Sequence, residues 1–191
     1  MAINPHYHHT EEQLQEELLW IEAAKENPEH FAPLYNKYYK GIFSYVYQRL
    51  DSKDTAFDIT AQVFLKALSN IQKYEFKGVP FASWLYRIAY NEVMQLFKSN
   101  QQLRAVNADV SDLRFICESH EEPFFEEYIP LVQKLISQLE EQDLQLVEMR
   151  YFEKRPFKEV AEILNITEVN AKVKMHRVIE KLKKELKKIK L

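Results

Sequence analysis

The stretch Phe157-Lys-Glu-Val-Ala-Glu-Ile-Leu-Asn-Ile-Thr-Glu-Val-Asn-Ala-Lys-Val-Lys-Met-His-Arg177 decides how the chain folds. Phe157, Val160, Ala161 and Leu164 fall at i, i+3, i+4 and i+7, one face of a helix. Asn165 follows, a residue that tolerates the left-handed backbone a helix C-terminus needs. Ile166 can plug the corner between two helices. Thr167 then offers an N-cap hydroxyl, and Glu168 puts a negative charge in the first turn, where the helix dipole favours it. Beyond it Ala171, Met175, Val178, Leu182 and Ile189 share one face, while Asn170, Lys174, Arg177 and Lys181 share another. Two helices joined this tightly, the second basic, predict a helix-turn-helix whose second helix enters a major groove. Small Ala161 suits a close crossing of the two. The plain alternative is a lysine-rich terminal helix that is merely solvated.

Composition narrows the class. A chain of 191 residues admits one or two domains. Glycine occurs only at Gly41 and Gly78, and the prolines stand mostly at helix edges, which predicts an all-α chain. The single cysteine, Cys117, excludes an internal disulfide and a zinc knuckle and fits a reducing cytoplasm. No apolar run approaches the roughly 20 residues of a membrane span, and the N-terminus lacks a signal-peptide core. The net charge of −3 conceals segregation. Residues 168–191 carry a net +6 and 28–100 a net +3, whereas 1–27 and 99–128 carry −5 each. Such blocks point to several partners of opposite sign.

Upstream, His6, His8 and His9 lack a carboxylate or cysteine beside them and read as incidental, so no metal site is expected. Residues 11–26 form a short acidic amphipathic helix through Leu14, Leu18 and Ile21. Asn27-Pro28 caps and opens the next helix, whose Phe31, Leu34, Tyr35, Tyr38, Ile42, Val46 and Leu50 are expected in a core. Gly41 within it suits a close helix crossing. A third helix runs from about Asp54 to Lys73. Ala56, Ile59, Val63 and Ala67 make one apolar stripe, with Phe57, Ala61, Phe64, Leu68 and Ile71 adjacent. Its polar strip is Asp58, Gln62, Lys66, Ser69 and Lys73. Phe57 and Leu65 flank that strip and suit a contact surface.

The loop Tyr74-Glu-Phe-Lys-Gly-Val-Pro-Phe81 is aromatic and turned by Gly78 and Pro80. The following helix, Ala82 to about Ser99, buries Leu85, Ile88, Ala89 and Leu96. Trp84, Arg87, Asn91, Gln95 and Lys98 fall on its other face. Basic groups, amides and a Trp beside an aromatic loop suit a platform for unstacked bases, although Trp84 alone fits a core equally well. Residues 99–127 are polar, acidic and aperiodic, longer than a compact loop, and read as a linker. After it, Leu131, Val132, Leu135, Ile136 and Leu139 predict a helix over 128–139. Leu144, Val147 and Tyr151 predict another over 143–152.

These segments together resemble bacterial extracytoplasmic-function (ECF) sigma factors of the sigma-70 family. Phe76-Lys-Gly-Val-Pro-Phe-Ala-Ser-Trp-Leu-Tyr-Arg-Ile-Ala-Tyr-Asn91 resembles the family's promoter-melting segment. Asp58-Ile-Thr-Ala-Gln-Val-Phe-Leu-Lys-Ala67 resembles its polymerase-binding helix. Leu139-Glu-Glu-Gln-Asp, Arg150-Tyr151, Val160-Ala-Glu-Ile-Leu and Lys172-Val-Lys-Met-His-Arg177 resemble its C-terminal promoter-binding domain. There are departures. Phe57, Ala61 and Gln62 replace the family's usual glutamate, glutamine and glutamate, and Gln95 replaces an aspartate. Asn165 stands for a glycine, and Val169 and Asn170 stand where small residues open the last helix.

The resemblance implies two helical domains, with an acidic extension over 1–26, a region 2 domain over 27–98, the linker, and a region 4 domain over 128–191. It implies binding to core RNA polymerase through Phe57, Asp58, Ala61, Gln62, Leu65 and Lys66. It implies capture of single-stranded −10 DNA by Phe76, Lys77, Gly78, Phe81, Trp84, Arg87, Asn91, Gln95 and Lys98. Duplex −35 DNA falls to Thr167, Glu168, Asn170, Ala171, Lys172, Lys174, Arg177 and Lys181. An anti-sigma factor is a further candidate partner, and neither a cofactor nor an enzymatic centre is expected. A conventional helix-turn-helix regulator would use the same C-terminal motif without polymerase. A helical adaptor would explain the amphipathic helices but not Arg87, Asn91 and Lys98 beside the aromatic loop.

Overall fold

The structure, a computed structural model, describes residues 10–50, 52–100 and 125–189, with 98–100, 125–129, 152 and 189 described in their backbone only. The N-terminal histidines, Cys117 and the acidic residues 101–124 lie outside the described residues. Among the described residues every regular element is helical, so the chain is all-α. It divides into two compact units, one holding residues 10–100 and the other 125–189.

In the first unit, helix α1 (Glu11–Glu26) opens on a capping box. The Thr10 hydroxyl accepts from Gln13 N–H at 3.3 Å, and the Gln13 side chain accepts from Thr10 N–H at 3.0 Å. Asn27 Oδ1 then accepts from Glu29 N–H at 3.0 Å and caps a short 3-10 turn, Pro28–Phe31, that leads into α2 (Ala32–Tyr47). Leu34, Tyr38, Ile42 and Val46 of α2 are buried at helical spacing. Tyr35, expected with them, is 40% exposed. It starts an aromatic ladder with Tyr39, Phe43 and Tyr47 that runs beside the buried stripe. Helix α3 (Lys53–Ser69) is capped by Ser52 and buries Ala56, Ile59, Val63 and Ala67. It stops at Ser69, and a separate 3-10 turn covers Ile71–Lys73.

Helix α4 (Phe81–Asn100) packs on α2 and α3. A Cβ on Gly41 would stand 3.1 Å from the Tyr86 hydroxyl, so the glycine lets α2 and α4 approach there. The α4 backbone continues past the residue where the linker was expected to begin.

In the second unit, α5 (Phe125–Ser137) begins three residues before the expected start at Tyr128. Helix α6 (Glu141–Val147) widens into a π turn over Glu148–Phe152, where Glu153 N–H donates to the Glu148 carbonyl at 2.9 Å. Leu144, Val147 and Tyr151 are buried as their spacing implies, and Leu146 and Met149 are buried too. The buried Arg155 pairs with Glu153 and with Glu159 and fixes the turn into α7 (Phe157–Leu164). The closing helix is α8 (Glu168–Ile189), which lies against α5, α6 and α7.

Candidate nucleic-acid and polymerase interfaces

On α3 the expected contact strip faces outward. Asp58, Ala61, Gln62 and Lys66 are exposed, and so are the flanking Phe57 (41%) and Leu65 (65%). Phe57 and Ala61 therefore leave the second apolar stripe to which periodicity assigned them, whereas Phe64 stays buried. The Phe57 ring does not hang free. It stacks on Phe43 at 4.6 Å between centroids, and Lys53 Nζ lies over the Phe57 ring, 5.6 Å from its centroid. At the far end of the strip, Lys66 Nζ meets the buried carboxylate of Glu92 on α4 at 2.6 Å. That bond ties the outward strip of α3 to α4.

The loop before α4 is built over a cluster of rings. Phe81 is fully buried, with Tyr74, Trp84, Phe31 and Tyr38 around it at 5.1 to 6.4 Å between centroids. Phe81 thus supports the loop from beneath and cannot be a wall facing a base. Phe76 and Lys77 are exposed, and Gly78 adopts φ 66°, a left-handed backbone that favours glycine. Trp84 is half-buried, packed on Tyr74 at 5.1 Å, so one part of the indole is core and the rest meets solvent. Along α4, Arg87 is half-buried and Asn91 and Gln95 are exposed on the same side. The Lys98 side chain lies outside the described residues.

One residue of this site carried little sequence signal. Glu17 of α1 is buried, and its carboxylate accepts from Lys37 Nζ at 2.7 Å, from the Tyr38 hydroxyl, and from the Phe81 N–H at 3.0 Å. The last of these places an anion at the N-terminus of α4, where the helix dipole favours it. The available hint is that Glu17 lies between Leu14 and Ile21, a charge on the apolar stripe.

In the second unit the turn between α7 and α8 has the expected geometry. Asn165 sits at φ 55°, ψ 46°, and Ile166 N–H donates to the Ala161 carbonyl at 3.0 Å. The Thr167 hydroxyl accepts from Asn170 N–H at 3.2 Å and caps α8. Ala161 and Ala171 are both buried at the crossing. Ala171 is consequently a packing residue, with no side chain to offer DNA. Asn170, Arg177 and Lys181 are exposed. Lys172 pairs with Glu168 at 2.6 Å, and the half-buried Lys174 donates to Gln142 Oε1 of α6 at 3.1 Å. The outward centre of α8 also holds Val169, Val173 and His176, all exposed. Ranking the face by charge overlooks them. The phase of the buried Ala171, Met175, Val178 and Leu182 would have found them.

Residues 34–102 match the model of sigma-70 region 2, and residues 130–182 match that of sigma-70 region 4. The chain belongs to the sigma-70 family, as an ECF sigma factor. It is a transcription initiation factor and not an enzyme. This sigma factor is 28% identical over 154 residues to the ECF RNA polymerase sigma factor BldN of Streptomyces coelicolor, covering 80% of this chain and 58% of that protein. It is 24% identical over 176 residues to the ECF RNA polymerase sigma factor SigW of Bacillus subtilis, covering 86% of this chain and 93% of that one. Among solved structures, CnrH in complex with the cytosolic domain of CnrY aligns with a TM-score of 0.55 at 15% identity, over 89% of this chain and 96% of that chain. That likeness is one of fold. No helix among the described residues of the sigma factor is long and apolar enough to cross a membrane.

Proposed function

We propose that this sigma factor binds core RNA polymerase in the cytoplasm, directs it to a promoter, and divides promoter recognition between its two units. Residues 27–98 act as the region 2 domain. The outward strip of α3, Phe57, Asp58, Ala61, Gln62, Leu65 and Lys66, docks on polymerase. The Phe76–Gly78 turn and the Trp84, Arg87, Asn91, Gln95 and Lys98 side of α4 hold the unstacked non-template strand of the −10 element. Residues 128–191 act as the region 4 domain, in which α8 enters the major groove of the −35 duplex. Asn170 and Arg177 face the bases, and Lys172, Lys174 and Lys181 serve the phosphates. Residues 1–26 are an acidic extension and 99–127 the linker, and no surface is assigned to an anti-sigma partner.

The observation that carries this reading is the coincidence of family regions with compact units. The described part of the region 2 match lies inside the first unit, and the region 4 match lies inside the second. An opened base costs a few kcal/mol of lost stacking, which a pocket and stacking side chains must offset. Gly78 lets the backbone approach, Phe76 supplies an apolar surface, and Asn91 offers an amide that donates and accepts. The test is reconstitution. Core polymerase supplied with the purified chain should start transcripts at defined promoters that core alone does not use. Failure to stimulate initiation, with duplex binding retained, would favour a helix-turn-helix regulator that works without polymerase.

A further inference from the structure

Val169 (71% exposed) and Val173 (42%) are the exposed large apolar side chains of the second unit among its described residues. Both lie on α8, one turn apart. A single exposed valine needs no explanation. A pair in the first two turns of a capped, basic helix is a different matter. β-Branched residues are poor choices for exposed helical positions. From Arg177 to Lys188 the exposed positions of α8 are otherwise lysine, arginine or glutamate.

Their position on the helix is set by its buried stripe. At about 100° per residue, Val169, Val173 and Arg177 follow one another at steps of about 40° on the side of the helix away from Ala171, Met175, Val178 and Leu182, with the two valines most nearly opposite that buried stripe. Cations flank the pair at Lys172, Arg177 and Lys181, and residues 168–191 carry a net +6. An apolar pair in so positive a field suits a polyanion with an apolar group at its base edges. In the major groove that group is the thymine C5-methyl.

We propose that Val169 and Val173 are specificity-determining residues of α8 that read thymine methyl groups in the upstream duplex. This inference rests on the proposed entry of α8 into the major groove. Side chains four apart on a helix stand about 6 Å apart at Cβ, and successive base pairs about 3.4 Å. The two valines therefore select thymines one or two base steps apart, on either strand. Asn170 and Arg177 beside them supply the hydrogen-bonded part of the readout.

The experiment starts from duplexes selected out of a randomised upstream element by the full chain with core polymerase. Each thymine in the selected site is then replaced by uracil, which lacks only the methyl group, and binding is measured by competition. The wild-type protein should lose about fourfold in affinity at each of two neighbouring positions, the worth of one buried methyl. Val169→Ala and Val173→Ala should each abolish the thymine–uracil difference at one position, and both residues are exposed enough for the variants to fold. Arg177→Ala should weaken thymine and uracil duplexes alike. Equal binding of thymine and uracil duplexes by the wild-type protein would overturn the proposal. Selection of no upstream sequence, together with an unaltered Arg177→Ala variant, would instead remove the placement of α8 itself.

Discussion

Glu17 takes Lys37, Tyr38 and the first N–H of α4 onto one buried carboxylate, so a single side chain fixes where α4 begins. Glu17→Ala strands those donors and should cost about 2–3 kcal/mol. Glu17→Gln keeps an acceptor for the Phe81 N–H but not the ion pair, and should cost about 1 kcal/mol. Both tryptophans, Trp20 and Trp84, belong to this unit. Their fluorescence in urea therefore reports its unfolding, and equal stability of the two variants would contradict this role. Glu17 was poorly legible in the sequence because its partners lie 20, 21 and 64 residues away. Phe81 was ambiguous for a related reason. A loop aromatic reads the same whether it faces solvent or, as here, closes a ring cluster.

At the scale of elements, periodicity and capping chemistry were enough wherever the hydrogen bonds are local. Helix α1 occupies the residues its spacing implies, and Asn165 and Thr167 perform the turn their side chains suit. Thr167→Ala should lower the stability of the second unit by about 1 kcal/mol. Asn165→Val, a β-branched residue forced into the left-handed region, should cost about 1–2 kcal/mol. Thermal unfolding followed by circular dichroism checks both, and a neutral Asn165→Val would show that the turn can relax. Where bonding departs from the i to i+4 pattern, sequence was silent. The π turn over Glu148–Phe152 keeps the same buried residues as an α-helix but shifts its donors by one. On α8, attention to charge placed the outward face on Lys174, which is drawn toward Gln142, rather than on Val173.

For the whole molecule, the order of the family's segments was legible, since it depends on local pattern alone. The outward surfaces follow from packing that a linear reading can only approximate. Docking on polymerase belongs to this scale. The double variant Asp58→Lys, Leu65→Asp alters two exposed positions of α3, and should release the protein from core enzyme with its helical content intact. Normal co-purification of that variant with polymerase would refute the docking strip. In the proposed division of labour the first unit opens the promoter while the second only reads duplex. Permanganate reactivity of promoter thymines, measured with core polymerase and the Lys77→Ala, Asn91→Ala variant beside the wild-type protein, tests it most directly. The variant should leave thymines of the −10 element unreactive while protection of the upstream duplex persists. Wild-type thymine reactivity in the variant would contradict the account.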